Sequence, residues 1–590
     1  MEFYTSRKVS YSAAFTSLKK QYNTISIVRL LIAIAIIVLG YYGLKQDNFN
    51  TYIVPILGCI IAFVYLMRVH GNVANKKLRA ATLVAINEDE ITHLQRKGNN
   101  FDNGAEYIDF KHPYTYDLDV FGQNSLFQSI NRTETYKGKE KLAQMLLTTL
   151  PHDVILQNQE AVKELAGKPE WRQEVQALGR MKKDSETTYA KLITWTNDSS
   201  KGINKISYLF AIIAPLALIG CFITYMITGD SSLFNWSIYI FIFNLFMVAG
   251  KAKLFKNEIS NTTETDEILH QYSLTIAQIE QAEFQSEKLK TLQQKLSSES
   301  KPAGQLIKKL ATLFGQMDSI SNVFASLLFN GLFQFHVHVF KGLQHWRKQH
   351  SSNIVVWLDI IADFEALNSL ANLYYNNKDY TFPELNTNRN ITFKGLAHPL
   401  LNPATRVGND VTFSPQFTIL TGSNMSGKST FLRSLGVNMV LAGIGAPVCA
   451  TAATVHPLPV LVSMRLSDSL SDSESYFFAE IKRLKQIMDA LEKENSFVLL
   501  DEILRGTNSD DKRTGTIKVV KKMIARQAIG VIATHDVEVC NSTAEYPEQL
   551  INRCFEANIE NNNLYFDYKL RDGICKNKSA TFLMEKIGVI

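Results

Sequence analysis

TGSNMSGKST, Thr421 to Thr430, directly follows a short apolar run, Phe417 to Leu420. The stretch matches the phosphate-loop pattern G-x-x-x-x-G-K-[ST] at every fixed position. Glycines in such a loop let backbone N–H groups wrap phosphate oxygens, and the helix after the loop adds the positive end of its dipole. The apolar run before the loop and FLRSLGVNMVLAGIGA after it supply the strand and the helix that the motif requires. This part of the chain is therefore predicted to be a nucleotide-binding α/β domain.

The loop residues have separate predicted roles. Lys428 would reach the β and γ oxygens and assist catalysis, and Ser429 would offer its hydroxyl to Mg²⁺. ATP and Mg²⁺ are therefore the predicted cofactors. The residues expected to contact the nucleotide are Gly422, Ser423, Ser426, Gly427, Lys428, Ser429 and Thr430.

Two later apolar runs end in groups that suit hydrolysis of a γ-phosphate. SFVLLDEILRGT places Phe497 to Leu500 before Asp501 and Glu502, as a buried parallel strand delivers side chains to its carboxyl edge. Asp501 would hold the Mg²⁺ shell, and Glu502 would polarise the attacking water as general base. AIGVIATHD, residues 528–536, ends near His535, which would sense or stabilise the γ-phosphate. Three such strand ends in this order predict an ATPase site.

Four apolar runs elsewhere have the length of membrane spans. Twenty residues at ~1.5 Å each reach about 30 Å, the thickness of a bilayer core. Lysines and arginines flank the runs while the short loops hold only Lys45, so the positive-inside rule places both termini in the cytoplasm. The alternative is that the runs are buried helices of a large soluble core. The runs form two hairpins, Ile25 to Leu44 with Thr51 to Met67, and Ser207 to Thr228 with Leu233 to Gly250.

The composition fits a large folded protein. The chain has 590 residues, of which 46% are hydrophobic and 20% charged, and its formal charge is +6. That charge permits a nucleic-acid or anionic-lipid partner without demanding one. Six scattered cysteines with no C-x-x-C pair argue against a disulfide framework or a zinc site and favour a reducing compartment.

The remaining segments are helical in pattern. Residues 119–147 pass from a Gly-Gln-Asn turn into helical spacing, with Asn131, Thr133 and Thr135 available to interrupt or cap it. Apolar residues recur every three or four positions from Glu258 to Leu296, which predicts one long amphipathic helix, packed against neighbours or in a coiled coil. Val323 to Phe340 is predicted to be a packed helix of the soluble part, with the histidines of its H-x-H in structural roles.

With these residues in place, the chain resembles the MutS family of ATPases, whose nucleotide domain is of the ABC class. The similar motifs there are TGSNMSGKSTFLRS, GAPVCA (Gly445 to Ala450), DSESYFFAE, LLDEILRGTNSDD and ATHD. SLFQSINRTETYKGKEKLAQML is similar to the start of the family's helical core, and YFDYKLRDG to its terminal hairpin. The resemblance covers roughly residues 115–190 and 355–590.

The resemblance implies further site residues. Asn424 and Met425 would shape the phosphate loop, and RVGN, Arg406 to Asn409, would lie beside the adenine. Val407 and Asn409 would be contacts there, and Arg406 would either stack on the base or be a solvated loop arginine.

The resemblance also implies a homodimer with shared nucleotide sites. Ser475 in SDSESYFFAE would donate to the γ-phosphate bound by the other subunit. Ser473 and Glu474 stand where the family usually has Gly-Gln, and a carboxylate there would repel a triphosphate unless it is turned away.

The sequence departs from the family in other places. A membrane hairpin stands where the family has its mismatch-reading and connector domains, and a second one falls inside the helical lever region. No wedge aromatic for a mismatch can be assigned, and the C-terminal dimerisation extension has no counterpart. We therefore expect the protein to hydrolyse ATP and to contact DNA through the sugar–phosphate backbone of the DNA. Mismatch specificity is not assigned.

Together these features predict an α/β P-loop ATPase domain of the ABC type and an all-α core and lever domain with two transmembrane helical hairpins. The expected order is a cytoplasmic segment 1–24, hairpin 25–69, helical core 70–206, hairpin 207–250, helical lever and core 251–390 and ATPase domain 391–590.

The predicted function is a membrane-anchored MutS-like ATPase that acts as a dimer, couples ATP turnover to lever motion and binds DNA. It would be a multi-pass protein of the inner or plasma membrane with its ATPase domain in the cytoplasm. Two alternatives stay open, a nucleotide-regulated membrane scaffold without DNA contact and an ABC-type transporter half-molecule. The second is disfavoured because LSDSLSDSESYFF stands where transporters carry L-S-G-G-Q.

Overall fold

A computed structural model of the chain describes residues 1–45, 49–198, 202–262, 265–297, 301–414, 416–465, 476–560, 563–576 and 584. An all-helical part comes first and an α/β part follows. The helices of the first part are α1 (Glu2–Lys45), α2 (Phe49–Leu94), α3 (Leu126–Ile130), α4 (Tyr136–Leu146), α5 (His152–Ala166), α6 (Pro169–Arg180), α7 (Glu186–Asn197), α8 (Lys205–Thr228), α9 (Ser231–Ala249), α10 (Ala252–Thr262), α11 (Thr265–Glu280), α12 (Glu287–Leu296), α13 (Ala303–Asp318), α14 (Val323–Phe333) and α15 (Phe335–Asn376).

The second part alternates strands and helices. Its elements in chain order are β1 (Glu384–Leu385), β2 (Ile391–Leu396), β3 (Asn409–Phe413), β4 (Phe417–Gly422), α16 (Lys428–Gly443), β5 (Ala452–Val455), β6 (Val460–Ser463), α17 (Tyr476–Leu491), β7 (Phe497–Asp501), α18 (Ser509–Ala525), β8 (Ile529–Ala533), α19 (Ser542–Glu545), β9 (Leu550–Glu560) and β10 (Asn563–Asp572).

Two helical hairpins, α1 with α2 and α8 with α9, carry the long apolar runs. All four helices are long and apolar enough to cross a membrane by length and composition, and the most apolar windows of α1 and α2 contain no buried residue. The alternative interpretation, that the apolar runs are buried in a soluble core, is therefore wrong for the first hairpin. Residues 1–24, expected as a segment of their own, belong to the unbroken helix α1, whose Tyr4 hydroxyl donates to Asn376 (2.8 Å).

The segment from Glu258 to Leu296 is not one long helix, so that prediction was wrong. It holds the end of α10, then α11 and α12, and the chain turns at residues 281–286. Phe284 is buried there with its ring 5.4 Å from that of Trp171, and Glu164 accepts the backbone N–H of Ser286 (2.7 Å). Apolar spacing continues across the turn, but side chains of α5 and α6 fix the turn.

The predicted helix from Val323 to Phe340 is divided at Gln334, whose φ of 47° is left-handed. His336 contacts Asn330, and His338 lies 3.1 Å from the carbonyl oxygen of Ala211, so both histidines have structural contacts. The prediction of a helix packed in the soluble part is wrong for α14, because most of its large apolar side chains are exposed.

The long helix α15 joins the second hairpin to the α/β part. Its 42 residues span about 63 Å at 1.5 Å per residue. Near its end, Asn372 donates to Glu90 of α2 (2.9 Å), and Glu90 also forms a buried ion pair with Arg132 (2.5 Å). The first hairpin is therefore attached near the end of α15, whereas the second hairpin contacts its beginning through His338 and Ala211.

The nucleotide motifs lie on a six-stranded sheet with the order β10-β9-β4-β8-β7-β6. The strands from β9 to β6 run parallel, and β10 pairs antiparallel with β9. β4, β7 and β8 are buried along their whole length, which explains why the sequence shows them as unbroken apolar runs. The predicted strands at these three places are confirmed. A second sheet has the order β1-β5-β2-β3.

Candidate nucleotide site

The phosphate loop lies at the carboxyl edge of the six-stranded sheet. β4 ends at Gly422, and α16 begins at Lys428. Met425 and Gly427 have φ values of 67° and 102°, and glycine adopts the second without strain. A Cβ on Gly427 would lie 3.1 Å from the ring of Tyr568, so the loop passes close to the β9–β10 hairpin.

Polar groups of the loop point toward the place where phosphates would bind. Nζ of Lys428 donates to the carbonyl oxygens of Gly422 (2.8 Å) and Ser423 (3.0 Å), and burial lowers the pKa of this lysine. The hydroxyls of Ser423 and Ser426 are buried and have no hydrogen-bond partner among the described residues. Because buried hydroxyls are normally paired, this cradle fits an anion that accepts from them.

Ser429 and Asp501 form a pair of hard oxygen donors. Oγ of Ser429 donates to Oδ2 of Asp501 (2.6 Å), which joins the first turn of α16 to the end of β7. No cluster of three His, Cys, Asp or Glu side chains able to hold a metal occurs in the described part of the chain. The Ser429–Asp501 oxygen pair suits Mg²⁺, which takes one or two protein oxygens and completes its shell with water and substrate phosphates. Ser429 and Asp501 are the residues that would hold it.

Glu502 and His535 meet because β7 and β8 are neighbours in the sheet. Oε1 of Glu502 lies 2.6 Å from Nε2 of His535, which is also 3.4 Å from Nζ of Lys428. The hydrogen bond from His535 lowers the pKa of Glu502 to about 2, helped by the nearby cations and opposed by burial. Glu502 is thus ionised at neutral pH, and so weak a base acts by orienting and polarising a water.

The backbone after β7 is strained and held by a residue that sequence reasoning did not assign. Glu502 and Leu504 have φ values of 49° and 61°. Glu480 of α17 is buried, and its carboxylate accepts the backbone N–H groups of Leu504 (2.6 Å) and Arg505 (3.0 Å). Glu480 closes the stretch SDSESYFFAE, but nothing in the sequence indicates this contact across 24 residues.

A cavity of about 700 Å³ opens beside the phosphate loop. Arg406, Val407 and Asn409 line it, as the resemblance implies. The guanidinium of Arg406 lies 5.4 Å from the ring centroid of Tyr380 and pairs with Asp379, so it is held on the wall rather than free in solvent.

Tyr568 is a further lining residue that sequence reasoning missed. It lies at an irregularity in β10, between Phe566 and Leu570, with a φ of 53°. Asn409 fixes this bulge, because its Nδ2 donates to the carbonyl of Tyr568 (3.0 Å) and its Oδ1 accepts the N–H of Leu570 (2.8 Å). The motif YFDYKLRDG contains Tyr568 but does not show that its ring faces the cavity.

The predicted site residues are therefore mostly close together. Most of them line the same cavity, and His535 reaches the site through Glu502 and Lys428. Ser475, predicted to act on the other subunit's ATP, lies outside the described residues, as do Ser473 and Glu474. The cavity is lined by Ser423, Asn424, Met425, Ser426, Gly427, Lys428, Ser429, Thr430, Asp501 and Glu502, besides Arg406, Val407, Asn409 and Tyr568.

The helical part contacts the α/β part just before residue 466. The N–H of Val462 in β6 donates to the carbonyl of Pro113 (2.9 Å). The buried carboxylate of Asp117 accepts the N–H groups of Met464 (2.9 Å) and Arg465 (2.6 Å). Asp119 pairs with the Arg465 side chain (3.0 Å) at the protein surface. The last described residues before position 466 are thus held by the helical part.

Comparison with known proteins agrees with this geometry. Residues 418–588 match the family described as MutS domain V. The DNA mismatch repair protein MutS of Thermotoga neapolitana is 31% identical over 234 residues, which cover 38% of this chain and 28% of that protein. MutS of Thermotoga maritima is 31% identical over 40% of this chain and 30% of that protein. The human MutS protein homolog 4 is 28% identical over 39% of this chain and 24% of that protein.

This chain matches less than a third of the length of each of these relatives. The matched family region begins in β4 and includes the phosphate loop, the acidic strand end and the β9–β10 hairpin. Through residues 418–588, which match domain V, the chain is related to the MutS family.

Proposed function

We propose that the chain is an ATPase of the ABC class that is anchored in a membrane by its two hairpins and couples ATP turnover to movement of its helical part. The observation that carries the proposal is the meeting of three strand ends at the phosphate loop. Ser429 contacts Asp501 there, and Glu502 contacts His535. Bound MgATP would supply the γ-phosphate and its metal to these groups.

The residues support a division of labour in hydrolysis. Lys428 and the unpaired hydroxyls of Ser423 and Ser426 would bind phosphate oxygens. Glu502, kept ionised by His535, would orient the attacking water in line with the leaving group. His535 would contact the transferred phosphoryl once it separates from Glu502.

Two contact paths support coupling between the nucleotide cavity and the hairpins. At the end of α2, Arg96 donates to the carbonyl oxygens of Leu400 (2.9 Å) and Leu401 (2.6 Å), and Leu401 lines the cavity. Just after α15, Asp379 pairs with Arg406, which also lines the cavity. Movement of the cavity wall on nucleotide binding would therefore act on α2 of the first hairpin and on α15, which contacts α8 of the second hairpin through His338.

Membrane insertion is supported by the exposed apolar surface of the hairpins. Large apolar side chains such as Ile37, Val54, Ile61 and Phe246 are more than 60% exposed. The lysine- and arginine-rich flanks favour a cytoplasmic location for the ATPase domain, in the inner or plasma membrane. A cysteine at Asp230, in the α8–α9 turn, should react with a membrane-impermeant maleimide added outside intact cells. A cysteine at Asp109 in the helical part should react only after lysis.

We infer dimerisation and DNA binding from the similarity to MutS proteins. The Thermotoga relatives are named as DNA mismatch repair proteins, and this chain has a formal charge of +6. A dimer would let Ser475 of one subunit approach the ATP of the other. DNA would be held mainly through phosphates, so its binding would weaken with salt.

The test is the ATPase rate of the detergent-solubilised chain with homoduplex DNA, with mismatched DNA and without DNA. Glu502→Gln should bind ATP but hydrolyse it at least about a hundredfold more slowly, because the amide cannot polarise the water as an ionised carboxylate does. Hydrolysis at the normal rate by this variant would refute the assigned site. Stimulation by neither DNA would favour a nucleotide-regulated scaffold, and equal stimulation by both would remove mismatch specificity.

The coupling is tested separately. Arg96→Ala removes the contact with residues 400 and 401, while Lys97→Ala changes the neighbouring exposed cation as a matched control. Arg96→Ala should alter ATP affinity or turnover severalfold in the full chain, and Lys97→Ala should leave both unchanged. Equal behaviour of the two variants would argue against a path through α2.

A further inference from the structure

Helix α14 has an apolar surface with no polar face. Its sequence, VFASLLFNGLF, contains no charged residue. Phe324 is 87% exposed, and Val323, Leu327, Leu328, Phe329 and Phe333 are also exposed. A helix that lies on a membrane surface carries charges on its outer face, and a helix of a soluble domain buries its apolar side. α14 does neither.

α14 packs against α9 of the second hairpin through small and amide residues. A Cβ on Gly331 would lie 2.2 Å from the ring of Phe241, so only glycine permits this approach. Asn244 of α9 is fully buried and donates to the carbonyl oxygen of Gly331 (2.8 Å). Close packing over glycine and hydrogen bonds between helices are the contacts that hold helices together inside a bilayer.

The break between α14 and α15 is enclosed by protein. Gln334 is fully buried with a left-handed φ, and its side-chain amide donates to Asn244 (2.8 Å). The side-chain oxygen of Asn330 accepts the backbone N–H of His336 (3.1 Å). Irregular backbone at membrane depth is tolerated where its polar groups are paired within the protein.

We propose that α14 is a further membrane helix, immersed in the cytoplasmic leaflet beside α9, with lipid acyl chains covering its exposed face. The proposal rests on the proposed insertion of α8 and α9. Its 11 residues span about 16 Å, half of a bilayer core, so α14 does not cross the membrane. Both its neighbours, α13 and α15, belong to the helical part, so the chain enters and leaves on one side.

Acyl chains rather than a second copy of the chain are the occupant because the surface is continuous with that of the hairpin. Ile238 of α9 is exposed and lies three residues before Phe241, which meets Gly331, so exposed apolar surface of the hairpin borders the packing contact. Asn244 lies five residues before the end of α9, about 8 Å along the helix. That distance puts α14 below the headgroups when the end of α9 is at the membrane surface.

The test uses the full chain in phosphatidylcholine–phosphatidylglycerol vesicles that contain a phospholipid with a photoactivatable diazirine on its acyl chain. After irradiation, lipid adducts are located by peptide mass spectrometry. We expect adducts within residues 323–333 as well as in α8 and α9. The control is Val355 and Val356, exposed apolar residues of α15, which should carry none.

A substitution separates contact with lipid from labelling of exposed apolar residues in general. Phe324→Glu changes a side chain that makes few protein contacts, and the charge should reduce adducts on α14 at least about fivefold. Phe324→Leu should leave them unchanged, and adducts on α8 and α9 should be the same in all three proteins.

The outcomes are distinct. Adducts in α8 and α9 but none in α14 would overturn this inference and keep membrane insertion of the hairpin. Adducts in none of the three helices would overturn both. Disulfide crosslinks between two copies of a Phe324→Cys variant, in place of lipid adducts, would assign the surface to an interface between subunits and would also overturn the inference.

Discussion

Replacing Asp117 by alanine should slow ATP turnover while leaving ATP binding nearly unchanged. Asp117 belongs to the helical part and holds the backbone of Met464 and Arg465. The residues that follow would carry Ser475 toward the ATP of the other subunit. Without Asp117, Met464 and Arg465 lose their buried contact with the helical part, but the phosphate loop keeps all its own contacts.

The magnitude follows from the burial of the groups. Asp117 is 3% exposed, and its carboxylate accepts two backbone N–H groups at 2.9 and 2.6 Å. A buried donor left without a partner costs about 1–3 kcal/mol. Burial raises the pKa of Asp117, because the charged carboxylate is poorly solvated there. Removing the carboxylate relieves this desolvation and offsets part of the cost of the two unpaired N–H groups. We expect a net loss of about 3 kcal/mol in stability of the contact between the two parts.

The assay measures ATP hydrolysis together with binding of a fluorescent ATP analogue by the same solubilised protein. Asp117→Ala should lower kcat at least about tenfold with less than about a threefold change in ATP affinity. Asp119→Ala is the matched control, because its ion pair with Arg465 is at the surface and is worth about 1 kcal/mol or less. Equal kcat for the two variants would refute the reasoning, as would loss of ATP binding in Asp117→Ala.

Three further predictions concern Mg²⁺ binding, the contact with the adenine base and a buried carboxyl group of the helical core. Ser429→Ala should weaken binding of MgATP about tenfold but barely affect ATP in excess EDTA, measured by titration with a fluorescent nucleotide, and equal weakening in both would contradict a role in Mg²⁺ binding. Tyr568→Ala should weaken ATP binding roughly fivefold and Tyr568→Phe should not, because the ring rather than the hydroxyl would face the base; similar affinities for the two would count against this contact. Burial raises the pKa of Glu365 to about 8, above the value of about 4.3 in the unfolded chain, so unfolding is increasingly favoured as pH rises between these values. Glu365→Gln should remove up to about 1.4 kcal/mol per pH unit from that slope in denaturant titrations between pH 5 and 8, and an unchanged slope would refute the assignment.

The strands and most of the cavity residues were predictable because their signals are local. The phosphate loop is contiguous in sequence, and β4, β7 and β8 are apolar along their length because helices and neighbouring strands cover both faces. The parallel order of these strands then brings Lys428, Asp501 and His535 to one edge. The site could therefore be predicted without knowing any contact between distant parts of the chain.

The contacts that were missed join residues far apart in sequence. Asp117 and Arg465 are 348 residues apart, and only the folded chain shows that they meet. Glu164 and Trp171 contact Ser286 and Phe284, more than a hundred residues further along the chain, and so fix the turn after α11. The apolar spacing of the sequence continues through this turn. Tyr568 depends on a bulge in β10, whose position is fixed by Asn409 in another strand. Periodicity and motifs contain no information on such partners.

The same distant contacts determine how the nucleotide site and the hairpins interact. A bound nucleotide shifts a conformational equilibrium only by its difference in affinity for the two states. The groups able to provide such a difference are on the cavity wall formed by residues 398–407, because Arg96, just after α2, holds Leu401, and Asp379, just after α15, holds Arg406. The opposite wall consists of the phosphate loop, which follows β4 of the sheet, and the loop after β7, which Glu480 holds. We therefore expect binding of the phosphates to be insensitive to the hairpins, and binding of the adenine side to depend on them.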